Sequence, residues 1–222
     1  GLLLLLLVFR DLGETKIIKK NKNTKSSASF INLFWEAKFW GYSFTLAFSA
    51  GTFFSFLGGA PYVATKVYNL NSVVSGLVMG FPAAGYFIGN YLSGRYSKFY
   101  GIDYMALRGI LLVIFGMFIC LVITVFYRDT PYFFFGLCSF VGLGNGLIIP
   151  NASVGILSVN ENLSGTAGGI GNAIMIGTGA ILASLTSYYL ENQTSSSYLV
   201  FIMLLSGALS YTSLYIFVLR YK

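Results

Sequence analysis

Six long apolar stretches, at roughly 39–60, 73–94, 105–127, 131–152, 165–190 and 197–219, constrain this chain more than any other feature. Each reaches the length of about 20 residues that a helix needs to cross the hydrocarbon of a bilayer. None shows sustained period-2 alternation, and each exceeds the length of a barrel strand, so the stretches read as helices. The surface these helices present must meet lipid. Only 9% of the residues are charged and 56% are apolar, whereas a soluble domain keeps about a quarter of its residues charged. The mean hydropathy of +0.74 says the same. The expected fold class is an all-α membrane protein, a six-helix transmembrane bundle.

The breaks between spans have physical causes. Pro61 and the polar run Asn69 to Ser72 are expected to end the first span, Arg95 and Lys98 the second. Arg128 and Asp129 separate the third from the fourth. Asn160, Glu161 and Asn162 precede the fifth span, and the polar run from Glu191 to Ser197 precedes the sixth.

Ahead of the spans, residues 1–9 form a short apolar run with its charges after it, at Arg10, Asp11, Glu14 and Lys16. A secretory signal would carry basic residues before the run, and nine residues reach less than half way across a bilayer. This segment reads as the end of a truncated transmembrane helix, and the chain as a fragment. Residues 10–38 read as a basic cytoplasmic linker, low in complexity from Lys16 to Ser29. Its interfacial lead-in carries Phe30, Phe34 and Trp35, with Phe39 and Trp40 following. Residues 39–222 then hold the bundle.

Basic residues set the orientation. Seven stand before the first complete span: Arg10, Lys16, Lys19, Lys20, Lys22, Lys25 and Lys38. Arg95, Lys98 and Arg108 lie around the second turn between spans, and Arg220 and Lys222 at the C-terminus. These twelve of the fourteen share one side, leaving Lys66 and Arg128 on the other. The asymmetry predicts that linker and C-terminus are cytoplasmic. It also accounts for the net charge of +7, which faces anionic headgroups and gives no reason to expect nucleic acid.

The chain holds no histidine, the commonest metal ligand and general base. Cys120 and Cys138 lie apart inside apolar runs with no ligand spacing, and read as small hydrophobes. No catalytic residue, metal site or cofactor is supported, and a membrane-embedded enzyme would need polar groups gathered near the interface.

Inside the spans, small and amide residues stand out. Gly76 and Gly80, Gly85 and Gly89, and Gly165 and Gly169 are each four apart, on one helix face, where helices can approach closely. Gly142, Gly144 and Gly146 followed by Pro150 predict a loosened and then kinked helix. Pro82 frees a carbonyl in the second span, and Gly168, Gly169 and Gly171 open the fifth. Asn90, Asn145 and Asn172 place amides at membrane depth, where each either bonds a neighbouring helix or lines a polar path. Phe53, Phe54, Phe56, Tyr86 and Tyr91 face either a greasy cavity, lipid or packing.

The stretch from Gly142 to Ser153, with Ser164 to Asn172, resembles spans ten and eleven of drug exporters. These form the bicyclomycin/chloramphenicol-resistance (Bcr/CflA) branch of the major facilitator superfamily. Phe39 to Tyr42, with Phe53-Phe54 and Gly59 to Val63, resembles the seventh span of that branch. Gly89, Gly94, Arg95, Lys98 and Gly101 resemble the superfamily's cytoplasmic loop signature in its second-half copy. Leu12 to Thr15 is similar to the Pro-Glu-Thr closing span six, with Gly13 in place of the proline. The resemblance implies the second half of a twelve-helix fold, whose first six-helix bundle is the missing partner.

It further implies proton-coupled export of small hydrophobic, cationic or neutral drugs by alternating access, in a bacterial inner membrane. Phe53, Phe54, Tyr86, Asn90, Asn145 and Asn172 are then the candidates for one wall of the central cavity. Gly85, Gly89, Gly142, Gly144, Gly146, Pro150, Gly165 and Gly169 serve kinks and packing. No complete span has a central Asp, Glu or His to carry a proton, so the carrier is expected in the missing half. An importer of small metabolites on the same fold, or a split or degenerate remnant without activity of its own, remain alternatives.

Overall fold

The computed structural model describes residues 32–127, 129–191 and 194–220. The terminal helix expected at 1–9, residues 10–31 of the linker expected at 10–38 and the Leu12 to Thr15 motif lie outside them. Seven helices make up six spans: α1 (Ala37–Tyr62), α2 (Ser72–Val78), α3 (Phe81–Tyr100), α4 (Ile102–Phe126), α5 (Pro131–Ser158), α6 (Ser164–Leu190) and α7 (Ser197–Leu214). All six are long and apolar enough to cross a membrane, with α2 and α3 sharing the second span. Among the described residues there is no strand.

Several boundaries depart from the sequence expectation. Pro61 does not end the first span; α1 runs through it into a π-helical turn at Val63–Val67. In lipid a backbone group without a partner is costly, so the chain widens locally rather than unwinding, and the Tyr68 amide reaches back to the Val63 carbonyl at 3.0 Å. The stop comes at Asn69, whose φ of 52° ends the helical path.

In the second span the break falls at Met79 and Gly80, and Pro82 sits in the first turn of α3, where a missing N–H leaves little unsatisfied. Pro150 lies within α5, which runs unbroken from Pro131 to Ser158. Arg95 and Lys98, expected to end the second span, are also helical, since α3 continues to Tyr100. Gly101 alone makes the turn, with a φ of 85° that a side chain would resist.

The packing follows from small residues on α1 and α5. The buried face of α1 is largely Ser, Thr, Gly and Ala, among them Ser43, Thr45, Ser49, Gly51, Thr52 and Ser55. It packs against α5, α6 and α7. Ser206 and Ser210 of α7 donate to the α1 carbonyls of Phe48 and Thr45, at 2.7 and 3.0 Å. Helix α5 packs in turn against α3, α4 and α1, and α4 meets α7. Helices α5 and α6 also touch, whereas α1 has little contact with α3.

At the end of the bundle bearing Tyr68, Asp129 fastens three segments. Tyr68 donates to its Oδ1; Ser196 offers its amide at 2.9 Å and its hydroxyl at 2.8 Å; Ser195 donates at 3.0 Å. Beneath it, Phe134 and Phe135 meet edge-on with ring centroids 4.8 Å apart, and both contact Tyr68.

Candidate functional site

The glycines sort into two groups. Gly85 and Gly89 of α3 interleave with Gly142 and Gly146 of α5, so that any Cβ added there would run into backbone of the facing helix. A Cβ on Gly146, for instance, would stand 2.6 Å from the Tyr86 carbonyl. Gly144 points the other way, toward Gly109 of α4. Helix α5 is thereby clamped between α3 and α4 with no room for side chains.

Gly165 and Gly169 of α6 behave differently. They share a face as expected, yet nothing lies within 4 Å of a Cβ there, and the same holds for Gly76 and Gly177. These glycines do not bring described helices together. The inward side of α6 is instead set by Gly171, against Ile156, and Gly179, against the Phe54 ring.

The predicted amides separate in the same way. Asn145 is buried and departs from the expectation of an open wall. Its Oδ1 accepts from Ser49, and its amide donates to Thr52 at 3.3 Å. The Thr52 hydroxyl in turn donates to the Ser49 carbonyl at 2.6 Å. The amide thus closes a clasp between α1 and α5, which satisfies it at membrane depth. Asn90 is half-buried and donates to the Tyr86 carbonyl of its own helix at 3.0 Å, while Asn172 is exposed on α6. Phe53 is half-buried and stacks with Phe56; Phe54 lies half-buried between α1 and α6; Tyr86 is exposed.

On the open side of α6, Gly165, Gly169, Asn172, Ala173, Ile176, Gly177 and Ala180 are exposed along one stripe. Only 11% of this span's most apolar window is buried, against 67% for α1. The outer faces of α4 and α7 are also exposed, but they carry Leu111, Phe115 and Phe118, and Phe201, Leu205 and Leu209. Those faces suit acyl chains; the α6 face as far as Ala180 is mostly small, with Ile176 its one large exposed apolar side chain.

The loop-signature residues stand on the last turns of α3. Gly94 has open space around it, Lys98 is exposed, and Arg95 donates to the Tyr91 hydroxyl at 3.4 Å with its guanidinium over Tyr96.

Other polar contacts were not marked as sites by the sequence. The Tyr42 hydroxyl donates to buried Asp103 at 2.5 Å, tying α1 to the first turn of α4, and Gly155 of α5 leaves room for the Tyr42 ring. Asn151 donates to Ser93 at 2.8 Å across the α3–α5 seam. A cleft of about 420 Å³ near the start of α1 is lined by Glu36, Lys38, Tyr42 and Ser158. Asp103 and Asp129 could have been noticed as carboxylates bordering apolar spans, where an unpartnered charge is expensive. Among the described residues, no three His, Cys, Asp or Glu side chains are grouped to hold a metal.

The family model described as Major Facilitator Superfamily matches residues 1–184. No curated protein matches the chain.

Proposed function

The chain belongs to the Major Facilitator Superfamily of membrane transporters, and from that premise we propose that it forms one wall of the central cavity of a drug exporter. The proposed transporter belongs to the bicyclomycin/chloramphenicol-resistance branch. It exchanges protons for hydrophobic, cationic or neutral compounds by alternating access across a bacterial inner membrane. The linker and the C-terminus are cytoplasmic in this reading, because the basic residues gather there.

The observation that carries the proposal is the open face of α6. A stripe of glycine and alanine around Ile176, with an amide at Asn172, offers lipid less apolar surface than the phenylalanine- and leucine-rich faces of α4 and α7, and it can border a water-filled path and a second bundle. Phe54 and Tyr86 add aromatic surface for greasy or cationic compounds, and Asn90 and Asn172 add adaptable hydrogen bonds. The middles of the described spans hold no carboxylate. The proton carrier accordingly belongs to the N-terminal six-helix bundle that completes the transporter, and residues 1–222 reconstituted alone are expected not to transport.

Everted membrane vesicles holding the native transporter test this directly. With an imposed proton gradient they should accumulate a fluorescent lipophilic cation, and a protonophore should abolish the accumulation. Accumulation that survives the protonophore would contradict proton coupling. Failure with lipophilic compounds, together with uptake of a charged metabolite in right-side-out vesicles, would establish an importer instead.

A further inference from the structure

A groove of about 580 Å³ runs along the outer face of α4, lined by Arg108, Leu111, Leu112, Ile114, Phe115 and Phe118. Most of these fall at helical spacings of three and four, so they form one stripe. Arg108 is exposed on this stripe, with its guanidinium over the Tyr104 ring. The helix has 25 residues, roughly 37 Å of length against a hydrocarbon core of about 30 Å. Arg108 is its seventh residue, so its Cα lies on the order of 5 Å inside the hydrocarbon when the helix is centred. A guanidinium there reaches back to the headgroup layer, where an anion can meet it.

Two further features identify that anion. Arg108 lies over the Tyr104 ring at 4.9 Å, Tyr104 stacks on Tyr100 at 5.5 Å, and Tyr100 meets Tyr96 at 6.2 Å. Tyrosines of this kind mark the headgroup level. Stacking engages the face of the guanidinium and leaves its edge donors free for a bidentate phosphate contact. The eleven residues from Arg108 to Phe118 span about 15 Å, so a groove that starts about 5 Å inside the hydrocarbon ends just past its middle. A groove of about an acyl chain's reach, with a cation at its headgroup end, fits a phosphate joined to an acyl chain.

We propose that this face of α4 holds an anionic phospholipid, its phosphate at Arg108 and one acyl chain along Leu111, Phe115 and Phe118. The test is native mass spectrometry of the full transporter released from nanodiscs of mixed phosphatidylglycerol and phosphatidylcholine. The native protein should retain phosphatidylglycerol in preference to phosphatidylcholine. Arg108→Gln should lower that retention roughly tenfold, while Lys66→Gln, at the opposite end of the bundle, should leave it unchanged. Equal retention of the two lipids by the native protein would overturn the proposal without recourse to any variant. So would a folded Arg108→Gln protein that retains phosphatidylglycerol unchanged, or displacement of the lipid by inorganic phosphate. A native dimer that covers α4 and excludes lipid would assign the face to a second copy and overturn it equally.

Discussion

The seam between α3 and α5 and the outer face of α6 are made of the same residue type at the same spacing, and the structure uses them in opposite ways. At the seam, Gly85, Gly89, Gly142 and Gly146 are filled by the backbone of the facing helix; at α6, Gly165, Gly169 and Gly177 meet nothing described. Four-residue spacing therefore reports only that a face is small. Whether it serves packing within the bundle depends on what stands opposite. A filled seam should govern stability, and an open one whatever passes or docks there.

Substitutions can break this contrast. The largest effect is expected at Gly142, where an added Cβ would overlap the Pro82 carbonyl. Gly142→Ala should cost about 4 kcal/mol or more, because backbone has to move, and thermal unfolding of the detergent-purified transporter measures it. A native-like midpoint would show that the seam is looser than described.

Asp129→Ala should cost about 2–3 kcal/mol by removing the shared acceptor of Tyr68, Ser195 and Ser196. Tyr68 adds a pH signature. Burial, and then the bond to Asp129, hold its phenol above the ordinary value. The folded state therefore keeps a proton that the unfolded chain releases near pH 10. This contribution is complete below about pH 10 and is lost as pH climbs beyond it, so stability should fall there. Tyr68→Phe should remove that dependence in the same unfolding assay.

Asn145→Ala should cost about 1 kcal/mol by opening the clasp to Ser49 and Thr52, in keeping with interhelical hydrogen bonds in membranes. Its transport should fall no further than its stability does. Selective loss of transport in a fully stable protein would return Asn145 to the cavity wall.

The smallest effect on stability belongs to α6. Gly169→Ala should leave unfolding unchanged or gain up to about 1 kcal/mol, since alanine favours helix and meets no neighbour. Gly169→Leu should keep the fold and impair drug accumulation in vesicles. Full transport by that variant would mean the face borders no path.

The six spans were legible because apolar length registers membrane crossing directly, and α2 and α4 to α7 begin close to where charge or polar residues break the pattern. The course of the first span past Pro61 was not, because a π turn that recovers lost hydrogen bonds leaves no composition mark. Neither was the role of Asn145. A buried amide and a cavity amide carry the same letter, and only the approach of Ser49 and Thr52 distinguishes them. Asn151 and Asp103 were missed for the same reason, since their partners Ser93 and Tyr42 lie 58 and 61 residues away in sequence.

The most direct test of an open, water-facing α6 is cysteine accessibility in the native membrane. Cys120 and Cys138 are buried and should contribute little background. Ala173→Cys and Ala180→Cys should react with a membrane-impermeant thiol reagent, and a transported drug should protect them, whereas Leu111→Cys on α4 should remain unlabelled. Labelling of α6 no greater than that of α4 would place both faces in lipid and contradict the assignment of α6 to the transport path.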